Sequence, residues 1–169
     1  MTAKITSISV SGIRTLDSFT LDLNDLTVLI GENGSGKSSV VEAFELLRRL
    51  TSQNFVQEFN GIHGGEPALL RVGAGQISLV ARIEGDSWTA SYEVVIGKSG
   101  ITEERLSASA NGSTTVLFSR SGMTIEAETI LRVPKMNVQQ AAIAQNGWTH
   151  RNPIVHVEEV SAALREFPA

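Results

Sequence analysis

Residues 26–50, LTVLIGENGSGKSSVVEAFELLRRL, decide the fold. The run LTVLI (26–30) is continuously apolar, as a strand buried on both faces would be. GENGSG follows, too rich in glycine for a regular element. The period then becomes helical. Val40, Phe44 and Leu47 share one face, which Val41, Ala43 and Leu50 broaden. Arg48 and Arg49 close the helix, where cations suit its dipole.

Gly31, Glu32, Asn33, Gly34, Ser35, Gly36, Lys37 and Ser38 satisfy G-x-x-x-x-G-K-[ST] at every fixed position. Glycines allow positive φ, so that successive backbone N–H groups turn inward around a phosphate. A helix opening near Gly36 adds unpaired N–H groups and the positive end of its dipole. In that geometry Lys37 meets the β- and γ-phosphates of ATP, the Ser38 hydroxyl ligates Mg²⁺, and Ser39 reaches the α-phosphate. The alternative is a glycine-rich turn with an incidental lysine. The order strand, loop, helix is the context that the phosphate-binding motif requires.

Outward from this stretch the pattern is β-rich. ITSISV (5–10) and FTLDL (19–23) read as strands, with SGIRTLDS as the turn between them. Residues 51–66 read as loop with a short helical piece. From about residue 68 the period is two: Ile77, Leu79, Ala81 and Ile83, then Trp88, Ala90, Tyr92, Val94 and Ile96. Turn signals at Gly85-Asp86, 97–100, Asn111-Gly112 and Ser121-Gly122 divide the runs into an antiparallel meander reaching about residue 128. Residues 134–153 show no clear period, and Val157, Val160, Leu164 and Phe167 form a final helical stripe. The expected fold is α/β, with the meander packed on the loop strand and its helix, in one domain over 1–169.

Composition bounds the function. The chain has 169 residues, 41% hydrophobic and 19% charged, which is ordinary for a globular domain. No apolar run is long enough for a membrane span, and the first dozen residues lack a signal peptide. Cysteine is absent, which excludes thiolate chemistry and suits the cytoplasm. A net charge of -4 and 5% aromatics do not describe a dedicated nucleic-acid binder. DNA contact would need a local basic patch or a partner. His63, His150 and His156 have no metal-ligand spacing.

The segments I-x-V-x-G-I-R and LTVLIGENGSGKSSVVEA, with their NGSGKS core, resemble the N-terminal end of the RecF- and SMC-like ATPases of the ABC superfamily. FNGIHGGEP, ISLVARIEGD and YEVVIGKSGITEERL are similar to the β-rich part of their first lobe. The likeness is greatest to stand-alone AAA family ATPases related to overcoming-lysogenization-defect proteins. It implies ATP and Mg²⁺ as ligands. It implies that Arg14 stands near the nucleotide and that Asn33 faces the γ-phosphate in a dimer. It also implies that Gln145 is the glutamine beside Mg²⁺ and the attacking water, with Gln139 and Gln140 as rivals. The bland alternatives are a solvated turn arginine and a surface amide.

Such ATPases also need an acidic pair at the end of a buried strand and an LSGGQ-type signature. No signature sequence is present. The nearest acidic pair is Glu158-Glu159 in PIVHVEEV, which equally suits the first turn of a helix. The resemblance therefore covers a first lobe only. It implies a homodimer or a partner chain carrying the second lobe, with an unpaired edge where that lobe is missing. Two other functions fit the motif. One is a small metabolite kinase, disfavoured because two strands precede the loop and a meander follows it. The other is a nucleotide sensor or fragment without turnover.

Overall fold

The computed structural model describes residues 3–62, 64, 66–98, 100–128, 131–132, 140–145, 148–150 and 157–167. Two strands open the chain, β1 (Lys4–Ile13) and β2 (Leu16–Asp22). Three helices follow: α1 (Lys37–Arg49), α2 (Phe55–Ile62) and α3 (Glu66–Leu69). Then comes the meander: β3 (Ile77–Glu84), β4 (Thr89–Gly97), β5 (Gly100–Ala110), β6 (Ser113–Ser121) and β7 (Thr124–Ala127). A small ladder of β8 (Leu131–Arg132) and β9 (Thr149–His150) flanks a 3-10 turn at Ala142–Ala144, and α4 (Val157–Arg165) closes the chain.

The seven-stranded sheet has the order β2-β1-β3-β4-β5-β6-β7, and every neighbouring pair is antiparallel. The expected meander is present, and its Asn111-Gly112 turn has positive φ at both residues (52° and 77°), as a tight hairpin demands. One face of the sheet carries the core: Ile8, Val10, Leu79, Ala81, Tyr92, Val94 and Leu106 are buried. The other face is rich in serine and threonine. Two bulges adjust the alternation. A register shift between Ile5 and Ser7 lets Ile5 and Ile8 both face inward despite their odd spacing. A shift between Leu106 and Ser107 likewise buries the adjacent Leu117 and Phe118.

Helix α1 packs on that core through Ala43, Leu46 and Leu47, with Leu50 at its C-cap and Val40 also buried. The inward face is therefore turned from the one expected: Leu46 is buried, whereas Val41 is exposed and Phe44 only partly covered. Helix α4 lies beside α1, with Val157, Val160 and Leu164 inward and the Phe167 ring edge-on to Phe44 at 5.2 Å. Among the described residues no helix is long and apolar enough to cross a membrane.

One element differs from expectation. Residues 26–30 form no strand; Leu26, Val28 and Ile30 are 81%, 66% and 92% exposed. A strand exists only by pairing, and the described residues offer this segment no neighbour. Leu26, Val28 and Ile30 are therefore left exposed, and Leu26 lines an apolar groove whose walls include Ile5, Leu23, Val41, Phe44 and Phe167.

Candidate nucleotide-binding site

Residues 31–36 make a turn that leads directly into α1. Ser35 N–H donates to the Glu32 carbonyl at 3.2 Å, and Val40 N–H to the Gly36 carbonyl at 3.0 Å. Gly34 and Gly36 have φ of 85° and 94°, backbone that an L-residue enters only with strain. At Gly36 a Cβ would also lie 2.6 Å from Leu16 Cδ2, so the first turn of α1 rests directly on β2. Lys37 bends back over the loop. Its ammonium donates to the carbonyls of Gly31 (2.5 Å) and Glu32 (2.6 Å) and to Ser35 Oγ (3.3 Å). Its charge is thereby held at the mouth of the turn.

The helix end is open to an anion. Gly36 supplies no side-chain cap, and the first turn of α1 has no acidic residue. Its unpaired N–H groups and the dipole's positive end remain for a ligand. Glu32, Asn33, Ser35 and Ser38 are exposed, while Ser39 is buried, with its hydroxyl 3.3 Å from Thr15 Oγ1. Ser39 thus ties α1 to the β1–β2 turn. Arg14 lies in that same turn and pairs through Nε with Glu42 of α1.

Of the other expected residues, Gln145 is buried, and its amide donates locally to the Ala141 carbonyl at 3.3 Å. Gln140 is also buried, and Gln139 lies outside the described residues. Glu158 and Glu159 are exposed in the first turn of α4, the setting of dipole-stabilised helix acids and not of a strand-end pair. His63 and His156 lie outside the described residues, and His150 is in β9. Among the described residues no group of three or more His, Cys, Asp or Glu side chains is placed to hold a metal ion.

A buried polar cluster went unread in the sequence. Glu104 accepts from Tyr92 Oη at 2.7 Å and from the N–H groups of Ala142 (2.6 Å) and Ile143 (2.8 Å). Arg120 Nη1 stands 3.7 Å from its carboxylate and donates to the Gln140 carbonyl at 2.9 Å. Burial pushes the Glu104 carboxyl above its usual range, against the pull of those donors and the arginine. Burial, reinforced by the Glu104 charge, raises the Tyr92 hydroxyl well above its own. The cluster fastens segment 140–145, with Gln145, to the middle of the sheet. A charged residue on the inward parity of β5 was the available signal.

Residues 4–111 match the family described as the AAA ATPase domain, a span running from β1 through β5 and taking in the glycine loop. Among solved structures, the recombination mediator protein RecF-ATPrS of the RecFOR pathway is similar at 18% identity and a TM-score of 0.44. The likeness covers 67% of this chain and 28% of that chain, so this chain spans under a third of its length. Comparison with curated proteins gives no match.

Proposed function

The chain belongs to the AAA ATPase domain family, and from that premise we propose that residues 31–39 bind Mg-ATP. One observation carries the assignment. The uncapped, acid-free start of α1 faces the same turn that Lys37 closes. Backbone N–H groups, a fixed cation and an exposed hydroxyl on Ser38 are the parts that a triphosphate and its metal require. Mg²⁺ would offset phosphate charge when bound, held by Ser38 and phosphate oxygens. Lys37 would turn its ammonium from the Gly31 and Glu32 carbonyls toward the β- and γ-phosphates. Asn33 and Glu32 would border the outer phosphate.

Hydrolysis is proposed to await a second lobe, supplied by further polypeptide or by a partner chain, and head-to-head dimerisation. The exposed Leu26, Val28 and Ile30 support this reading, because a contiguous apolar segment beside a groove marks an interaction surface. Gln145 would join the site only in that assembly. The proposed setting is the cytoplasm, in DNA repair, chromosome maintenance or anti-phage defence. The metabolite kinase has no support from the all-antiparallel sheet.

Calorimetric titration with Mg-ATP, with phosphate release followed in the same sample, tests the assignment. Binding without release is expected, and Lys37→Ala should abolish it in a chain that still folds. Undiminished affinity in the folded variant would refute the site.

A further inference from the structure

Asparagine precedes glycine at 33–34, 60–61, 111–112 and 146–147. The dipeptide is chemically labile. Glycine has no Cβ to shield its nitrogen, so that nitrogen can swing onto the side-chain amide carbon of the asparagine before it. By sequence these sites are equivalent; in the fold they are not. Asn60 and Gly61 lie inside α2, whose hydrogen-bond ladder fixes their backbone. Asn111 and Gly112 form the tight turn between β5 and β6. The pairs Ala110–Ser113 and Ser109–Thr114 clamp it, and the hydroxyls of Ser109 and Thr114 meet at 2.6 Å. The pair at 146–147 lies outside the described residues.

Asn33 and Gly34 are held least. They are the central residues of the turn that Ser35 N–H closes onto the Glu32 carbonyl at 3.2 Å. Lys37 grips the residues on either side, at the Gly31 and Glu32 carbonyls and at Ser35 Oγ. Among the described hydrogen bonds none takes the Gly34 N–H or the Asn33 side-chain amide. Both residues are exposed, and no atom beyond the chain neighbours lies within 4 Å of where a Cβ on Gly34 would stand.

We propose that Asn33 is a modification site, at which spontaneous deamidation switches the phosphate loop off. The Gly34 nitrogen gives up its proton and bonds to Asn33 Cγ. The Cγ–Nδ2 bond breaks, and the side-chain nitrogen leaves as ammonia. Water then opens the cyclic imide. Opening at Cγ gives an aspartyl residue. Opening at the main-chain carbonyl carbon gives an isoaspartyl residue, whose backbone runs through the side chain and is one methylene longer. No oxidant or reductant is needed, and water is the co-reactant. Either product puts a new carboxylate where the loop would receive phosphate. The isoaspartyl form also displaces the N–H groups that follow, and such groups are what a phosphate cradle is made of. Bound nucleotide would hold the Gly34 nitrogen in place and so protect the site. This consequence rests on the Mg-ATP reading above; the lability of Asn33 does not.

The test holds the purified chain at mildly alkaline pH. Peptide mass spectrometry follows residues 33, 60 and 111, and calorimetry follows Mg-ATP affinity. Residue 33 should convert at least about tenfold faster than 60 and 111, where attack first requires local opening. In urea the three rates should converge. Mg-ATP at about ten times its dissociation constant should slow conversion at 33 about tenfold and leave 60 and 111 unchanged. Binding capacity should fall in step with conversion. Asn33→Gln, whose longer side chain closes the ring less readily, should keep its own starting affinity through the same incubation. Earlier conversion at 60 or 111, equal rates in the folded chain, or loss of affinity by Asn33→Gln in step with the parent would overturn the inference. Rapid conversion at 33 in a folded parent that binds no Mg-ATP would sustain the labile site but remove the nucleotide reading, and the switch with it.

Discussion

Glu104→Ala is expected to be the most damaging single change in the sheet. The carboxylate satisfies Tyr92 Oη and two backbone N–H groups, and it faces the Arg120 guanidinium, whose side chain is 4% exposed. Truncation leaves those donors in a space that water does not reach, and a cation whose partners among the described residues are then the Gly122 and Gln140 carbonyls. Breaking a buried pair from one side costs about 3–5 kcal/mol. Urea unfolding at neutral pH measures it as a lower midpoint at unchanged slope. Tyr92→Phe removes one hydrogen bond to a charged acceptor and alone should cost about 1.5–3 kcal/mol. In the Glu104→Ala background it should cost almost nothing, since its acceptor is gone. The pH dependence has a definite sign. The folded chain holds the Glu104 proton more tightly than the unfolded chain, so this group's stabilisation is complete below 4.5 and is lost as pH rises through the raised value. The gap between parent and variant should therefore narrow across that window. A loss under about 1 kcal/mol, or additive effects of the two substitutions, would refute the clamp.

Gly36→Ala must place a Cβ at φ of 94° and 2.6 Å from Leu16 Cδ2. It should cost at least about 1–2 kcal/mol in a urea titration and abolish Mg-ATP binding, whereas wild-type affinity would show that the turn tolerates another conformation. Replacing Leu26, Val28 and Ile30 together by serine should leave the unfolding midpoint almost unchanged, because all three side chains face solvent. Sedimentation should show less self-association than in the parent chain. A large loss of stability would mean that the segment packs against the core.

The glycine loop was legible because its motif depends on backbone geometry that only glycine supplies, at Gly34 and Gly36 above all. The meander was legible from period two and from Asn111-Gly112, where local sequence dictates the turn. The run at 26–30 misled for a physical reason: apolarity reports a need for burial, and only a partner strand meets it. The inward face of α1 was misjudged at Val41 because α4 and the groove leave that side uncovered. Glu104 resembled an ordinary surface acid, since its donors come from residues far along the chain. The Arg14–Glu42 pair was illegible for the same reason.

The register of the sheet also bears on how the chain acquires its shape. β3 to β7 are successive hairpins, so their contacts close short loops. The β1–β3 ladder instead joins Ser11 to Ser78, across the glycine loop, α1 and α2. Such a closure is entropically costly and slow. The meander is expected to condense first and to serve as a template on which β1 docks, with the nucleotide turn completed by that last event. Mg-ATP should then leave early refolding rates untouched and lengthen the lifetime of the folded chain, because its cradle is absent until the final barrier has been crossed.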